Sequence, residues 1–230
     1  TYLKNDEIVF TEGNSKAIDE NYTLLGSNFK FDKIKNILIA ENSVKFTDHK
    51  KNTVIFSDKA TYLKNDEIVF TEGDTSAFLD NEYYFKSKNV KYIKNSNQLS
   101  SNNKSSIEDN DGNIYNGEVN DFFEQHGKGI LTFKSGLIYE GEFKENKANG
   151  YGILKYTNGT IYEGDFKDGL VNGNGTLKLT NGKQYKGKWD KNLFDNKNLF
   201  KNKVIINNIG NIYDGFYELK DKEYIKNGYG

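Results

Sequence analysis

A short phrase recurs at a fixed period in the second half of the chain. It reads tyrosine, any residue, glycine, any residue, then a bulky apolar residue, and it begins at Tyr115, Tyr139, Tyr162 and Tyr185. The spacings are 24, 23 and 23 residues. A second phrase, Gly-x-Gly-x-Leu, begins at Gly127, Gly150 and Gly173. A fixed period of this kind is typical of an array in which each unit buries its face against its neighbours.

Each copy of the two phrases predicts a β-hairpin. Side chains alternate between the faces of a strand, so Tyr139, Gly141 and Phe143 share one face and Glu140 and Glu142 the other. A Ser-Gly or Asn-Gly pair stands between the phrases, which is a strong hairpin signal. Glycine in mid-strand costs stability, so its regular placement predicts that an aromatic ring lies over the bare backbone.

At this spacing the two phrases resemble the MORN repeat, over residues 115–217. The pattern breaks over residues 191–203 and a frayed copy returns at 210–217. The resemblance implies an extended, twisted antiparallel sheet made of hairpins. Its motif residues would be Tyr115, Gly117, Gly127, Gly129, Tyr139, Gly141, Gly150, Gly152, Tyr162, Gly164, Gly173, Gly175, Tyr185 and Gly187.

The first half of the chain is itself repetitive. Residues 1–13 return without change as residues 61–73. A weaker period of about 30 residues relates four aromatic positions, Tyr2, Phe31, Tyr62 and Tyr92. Apolar and polar residues alternate around these positions, and no stretch shows a sustained helical period. The pattern predicts a solenoid-like or open jelly-roll stack with an apolar inner face.

Residues 1–115 also resemble the OstA-like repeat of lipopolysaccharide-transport proteins, both the periplasmic bridge and the N-terminal domain of the outer-membrane assembly protein. The stretches that carry it are residues 59–73, 85–92 and 99–115. The resemblance implies a groove that binds lipopolysaccharide or a related lipid, and end strands that pair with like β-repeat domains. The lipid path would be lined by Phe29, Phe31, Val44, Phe46, Tyr62, Ile68, Phe70, Val90 and Tyr92.

The expected fold is therefore all-β, with an OstA-like stack over residues 1–110 followed by a MORN hairpin array over residues 111–230. Thr1 begins inside a repeat and no methionine precedes it, so we expect the sequence to be a fragment. No apolar run approaches the roughly 18 residues that span a membrane, so any membrane contact should be peripheral. The OstA-like resemblance implies a place in the periplasm or at the outer membrane of a Gram-negative bacterium.

Composition argues against several classes of function. The formal net charge is −1 and all 32 basic residues are lysine, which argues against a nucleic-acid partner. There is no cysteine, and His49 and His126 are far apart in sequence, so no metal site or Cys-His pair is expected. Acidic residues that recur with the MORN-like phrase are interpreted as a solvated strand face. We therefore expect a non-enzymatic protein without a cofactor.

Two functions stay open. The first is lipid binding in a hydrophobic groove of the first half, as part of lipopolysaccharide transport or outer-membrane assembly. The second is a MORN-repeat scaffold that mediates protein–protein or membrane-surface interaction. Between Tyr115 and Trp189 there are ten lysines and nine acidic residues, so no basic patch draws the array to an anionic bilayer.

Overall fold

The computed structural model describes residues 8–80, 82–195, 203–206, 212–215, 217–220 and 223–226. These residues form β-strands and turns, which confirms the predicted all-β class. No helix among them is long and apolar enough to span a membrane. The chain divides into two compact units, residues 1–125 and 126–230. The boundary lies later than the expected residue 110, because the hairpin over residues 105–119 pairs with the first unit.

The first unit is an antiparallel sheet whose long strands bend. Its strands are β1 (Ile8–Thr11), β2 (Ser15–Ile18), β3 (Tyr22–Gly26), β4 (Asn28–Asp32), β5 (Ile37–Asp48), β6 (Thr53–Leu63), β7 (Ile68–Leu79), β8 (Tyr83–Lys88), β9 (Lys91–Ile93), β10 (Gln98–Ser100), β11 (Ser105–Asp109) and β12 (Ile114–Val119). One half of β5 pairs with β4 and the other half with β3. Likewise, β7 pairs with β9 over one half and with β8 over the other. The bends therefore produce two layers that share β5, β6 and β7. The first layer also contains β4 and β9, and the second layer also contains β3 and β8.

The bends coincide with breaks in strand register. The pairing of β5 with β6 shifts between Glu41 and Val44, where Asn42 and Ser43 have φ values of 63° and 55°. The β6–β7 pairing shifts between Ser57 and Lys59. Extra residues on one strand of a pair turn its direction, so these irregularities fold the sheet over on itself.

The two layers face each other across an aromatic interior. Tyr22 in the second layer meets Tyr62 in the first with ring centres 4.9 Å apart. Phe46 lies 5.8 Å from Tyr62 and 6.1 Å from Tyr92. These four side chains are buried. The arrangement agrees with the predicted stack.

The structure of the first unit repeats with its sequence. Asn36, Glu67 and Asn97 occupy equivalent turns and have φ values of 55°, 57° and 54°. Backbone hydrogen bonds link neighbouring turns, since the amide of Lys64 donates to the carbonyl of Asn36 and that of Lys94 to Glu67. Each turn residue follows an aromatic of the 30-residue pattern by five positions, so every repeat adds one hairpin to the stack.

The second unit is a meander in which consecutive strands pair. Its strands are β13 (Gln125–Thr132), β14 (Ile138–Lys144), β15 (Lys147–Lys155), β16 (Ile161–Lys167), β17 (Leu170–Lys178), β18 (Gln184–Asp190), β19 (Leu193–Asp195), β20 (Lys203–Ile206) and β21 (Ile212–Gly215). Strands β22 (Tyr217–Lys220) and β23 (Glu223–Lys226) form a separate hairpin. The predicted antiparallel hairpin array is confirmed.

Two kinds of turn alternate along the array. The predicted Ser-Gly and Asn-Gly turns are present, with φ of 89° at Gly136 and 84° at Gly159. The opposite turns use two successive residues of positive φ, such as Glu145 and Asn146 at 50° and 64°. Two such residues match a type I′ hairpin, whose twist suits the flanking strands.

Aromatic rings lie over strand glycines, as the sequence predicts. Gly141 and Gly152 face each other in the β14–β15 register. A Cβ atom at Gly152 would lie 2.6 Å from the Tyr139 ring carbon Cε2. Tyr162 covers Gly175 in the next hairpin. The glycines are therefore required by the space that each ring takes.

Replacing Gly152 by alanine should lower the free energy of unfolding by about 1–3 kcal/mol, because the new methyl group overlaps the Tyr139 ring. Urea unfolding measures the change. In a Tyr139→Leu background the same replacement should cost much less, since the ring is gone. An equal cost in both backgrounds would show that the ring is not the reason for the glycine.

Candidate functional site: the aromatic face of the hairpin array

A continuous row of aromatic rings runs along one face of the second unit. Phe143, Tyr139, Phe166, Tyr162 and Trp189 follow one another edge to face, with ring centres 4.8–5.4 Å apart. All five side chains are buried. Edge-to-face pairs at this spacing add to the stabilisation that burial itself gives. The row is thus the core of the array.

Three of the motif tyrosines are fixed at their hydroxyl ends. The Tyr139 hydroxyl donates to the carbonyl of Glu142 at 2.9 Å, and the Tyr162 hydroxyl to the carbonyl of Asp165 at 3.3 Å. Tyr115 in the first unit makes the same contact with the carbonyl of Glu118, at 2.6 Å. Burial raises the pKa of Tyr139 and of Tyr162, so both remain neutral donors.

The second acidic residue of the phrase has a structural role that sequence reasoning missed. Carboxylate Oδ2 of Asp165 accepts a hydrogen bond from the backbone N–H of Asn174 at 2.8 Å. Glu142 lies in the equivalent place against Gly150, whose φ is 101°. Both stand where the register of the hairpin shifts. Asp165 therefore has a structural hydrogen bond in addition to its place on the charged face.

An apolar groove of about 320 Å³ opens on the same face. Three aliphatic or aromatic side chains of β13 and its turn, Leu131, Phe133 and Leu137, line one part of it. Leu170 and Val171 of β17 line another part. Lys147 is the charged residue among the lining side chains, and no carboxylate is among them. The groove therefore offers an apolar surface with one cation at its margin.

The opposite face of the array is charged and pairs with itself. Lys155 lies 3.5 Å from Glu140, and Lys178 lies 3.3 Å from Glu163. The Tyr151 hydroxyl donates to Glu163 at 2.7 Å, which raises the pKa of Tyr151. Exposed ion pairs of this kind contribute little to stability. This face is solvated, as expected from the sequence.

The residues predicted to line a lipid path are mostly inside the first unit. Of the nine predicted residues, Phe31 and Ile68 are half-buried and Phe70 is exposed. The fully enclosed ones are Phe29, Val44, Phe46, Tyr62, Val90 and Tyr92. The interior at this level is filled by the protein's own rings.

Two of the nine residues predicted to line the lipid path, Ile68 and Phe70, lie outside the interior. Within β7, Val69 and Thr71 are buried, and side chains alternate along a strand. Ile68 and Phe70 therefore point to the outer face of their layer. The run of apolar residues gave no alternation from which the inner face could be chosen.

Polar groups hold the free edges of the two layers together. The hydroxyl of Tyr92, in the first layer, donates to Asp48 in the second at 3.2 Å. The hydroxyl of Thr53, in the second layer, donates to the side-chain oxygen of Asn97, in the first, at 3.1 Å. Asp48 is buried and also accepts from two backbone N–H groups of its own turn. The edge opposite the bends is thus closed by hydrogen bonds.

A buried lysine lies beside this closure. The ammonium of Lys94 contacts the Glu67 carboxylate and lies 3.0 Å from the Tyr62 hydroxyl. The Lys94 ammonium also lies 5.1 Å from the ring centre of Tyr22.

Of the two histidines, His49 makes a hydrogen bond with the Thr23 hydroxyl, at 2.9 Å from Nε2. Among the described residues no group of three histidine, aspartate or glutamate side chains could hold a metal ion.

Comparison with protein families identifies the array. The family model of the MORN repeat matches three successive segments, residues 124–138, 139–161 and 162–184. These residues are therefore MORN repeats, as the motif predicted. The predicted copies at Tyr115 and Tyr185 lie outside the matched segments. Tyr115 and Gly117 belong to β12, which pairs with β11 of the first unit.

Two solved structures show a distant likeness. One is the wild-type TCP10 domain of Danio rerio CPAP in complex with a peptide of Danio rerio STIL, at 12% identity, 76% coverage of this chain, 99% of that chain and a TM-score of 0.26. The other is a streptogramin B lyase, at 13% identity, 90% coverage of this chain, 72% of that chain and a TM-score of 0.16. Scores this low carry no argument about fold or function. A search of the curated proteins finds no match.

Replacing Glu67 by glutamine should destabilise the first unit by about 1–3 kcal/mol, because the ammonium of Lys94 then lies buried without its counter-charge. Urea unfolding followed by tyrosine fluorescence measures this. The matched control is Glu72→Gln, since Glu72 pairs with Lys59 at 2.8 Å on the surface. The control should change stability by less than about 0.5 kcal/mol. Equal effects would contradict a structural role for the buried pair.

Proposed function

We propose that the protein is a non-enzymatic β-repeat scaffold whose MORN array binds an apolar segment of a partner protein. The observation that carries this is the apolar groove of about 320 Å³ on the aromatic face. A scaffold of this kind needs no catalytic group, only a surface of fixed shape. The aromatic row below the groove supplies that rigidity.

The chemistry of the groove favours a protein segment with apolar anchor residues. Partner segments recognised in grooves insert a few side chains and leave the rest solvated. Leu137 and Leu170 are accessible at the rim, while Phe143 and Phe166 are buried at the base. An acidic or neutral flank on the partner would suit Lys147. The near balance of charge along the array gives no comparable attraction to an anionic membrane.

Selection of a phage-displayed peptide library on the full chain tests this proposal. Enriched peptides should share apolar anchors, and Leu170→Lys should weaken their binding about tenfold or more by placing a charge in the groove. The matched control is Ile130→Lys. Ile130 is 39% exposed, Leu170 is 38% exposed, and Ile130 lies on the other face of β13 from Leu131.

Two results would contradict the protein-binding proposal. One is a selection that enriches no shared apolar motif. The other is peptide binding that Leu170→Lys and Ile130→Lys affect equally. If neutral phospholipid vesicles bound instead, with the Leu170→Lys variant defective and the control intact, the same groove would be a membrane contact.

A second candidate function is lipid binding by the first unit, and the two-layer stack favours it. The OstA-like resemblance associates a stack of this kind with lipopolysaccharide transport in the periplasm. An acyl chain would have to enter between the layers, where Phe31 is half-buried and Lys64 lies 5.9 Å from its ring centre. The filled interior requires the layers to separate at their hydrogen-bonded edge.

Titration of the full chain with purified lipopolysaccharide tests the second candidate. Saturable binding should be lost in Phe31→Asp, because a carboxylate at the entrance opposes an acyl chain. It should be retained in Phe70→Asp, where the replaced ring is on the outer face. Absence of binding by the parent, or equal binding by both variants, would remove this candidate.

A further inference from the structure

The first unit has a second concave surface, on its outside, at the bends of the sheet. It is a groove of about 640 Å³ that crosses β5, β6, β7 and β8. We call it the bend groove. It differs from the interior between the layers, because Phe56 and Ser76 lie on the outward faces of their strands. The irregular register near Ser57 opens the surface at this point.

Aromatic rings and polar side chains alternate in the bend groove. Phe56 is 38% exposed, and Tyr84 lies two strands away, or roughly 10 Å at ordinary strand spacing. Phe78 stacks on Tyr84 at 4.6 Å between ring centres, which holds that ring in place. Asp58 and Ser76 complete the polar part of this row. The groove thus presents two aromatic surfaces separated by hydrogen-bonding groups.

Several polar side chains of the bend groove are available to a ligand. Among the described residues, the carboxylate of Asp58 and the hydroxyl of Ser76 have no hydrogen-bond or ion-pair partner. In contrast, Ser57 and Thr75 at the floor are buried and already bonded to backbone carbonyls. The free groups lie on the same open side as the ring of Phe56. A ligand that stacks on the ring can therefore hydrogen-bond beside it.

The charges of the bend groove favour a neutral ligand. Asp58 and Asp74 stand with Lys86 in the lining, and Asp74 pairs with Lys88 at 3.4 Å. The ammonium of Lys45 lies 5.6 Å from the ring centre of Phe56. Lys86 itself lies 4.8 Å from the Tyr84 ring centre. Lysines and carboxylates therefore nearly balance, so the surface has no excess of either charge that would select an anion or a cation. An acyl chain would leave the polar groups without water. A ring with an apolar face and hydroxyl edges matches both parts of the surface.

We propose that the bend groove binds a neutral oligosaccharide. One sugar ring stacks its apolar face on Phe56, and its hydroxyl groups donate to Asp58 and bond with Ser76. A following ring of the same chain reaches Tyr84, where Lys86 donates to a hydroxyl or ring oxygen. This site is independent of the MORN groove, so failure of either proposal leaves the other standing.

The test is calorimetric titration of the full chain with maltohexaose, cellohexaose, mannohexaose and chitohexaose. At least one should bind saturably, and saturation-transfer NMR should show contact through the sugar C–H groups. Phe56→Ala should weaken binding about tenfold or more, and Asp58→Ala should weaken it as well. The matched control, Phe70→Ala, removes an outer-face ring that is 39% exposed and outside the groove, and should bind like the parent.

The outcomes separate cleanly. Binding that is lost in Phe56→Ala and kept in Phe70→Ala supports the site, provided that thermal unfolding of both variants matches the parent. Absence of binding by all four sugars overturns the proposal, and so does equal binding by the two variants. Stronger binding of a heparin-derived hexasaccharide, reduced by Lys86→Ala, would also overturn it, since the groove would then select anions.

Discussion

A β-sheet with no helix to cover it must bury a face against itself, and the described strands of this protein do so in two ways. In the MORN array, Tyr139 and Tyr162 lie over glycines of the neighbouring strands, and their rings meet the next aromatic ring edge to face. Burial of large aromatic side chains is the main stabilising contribution available to such a sheet. The array depends on this contact, because a side chain larger than hydrogen at Gly152 removes the space for Tyr139.

The first unit meets the same requirement by bending. Its long strands pass through breaks in register, so that one part of a strand faces another part of the same sheet. Tyr22, Phe46, Tyr62 and Tyr92 then fill the interior from both sides. Polar side chains are paired at the free edge, where Tyr92 reaches Asp48 and Thr53 reaches Asn97. Because the filling is internal, the outer faces retain exposed rings such as Phe56 and Phe70.

The sequence predicted the hairpins well because its local signals agree with one another. Period, glycine spacing and turn residues all point to one register, and the glycines explain the aromatic packing. The first unit was harder, since its bend at Asn42 and Ser43 carries no glycine. Alternation cannot choose a face when Val69 and Phe70 are both apolar, which is why Phe70 was misplaced. The pairing of Lys94 with Glu67 joins neighbouring repeats, and no local pattern reveals it.

The packing of each unit determines how much a ligand must disturb the protein in order to bind. A lipid entering the first unit would displace rings that already contact each other, and would break the Tyr92–Asp48 and Thr53–Asn97 hydrogen bonds at its edge. A partner at the MORN groove displaces only water, since the rings beneath it keep their own contacts. Binding without reorganisation leaves more of the interaction energy as affinity. We therefore propose protein binding at the MORN groove ahead of lipid binding, which carries the added cost of opening the stack.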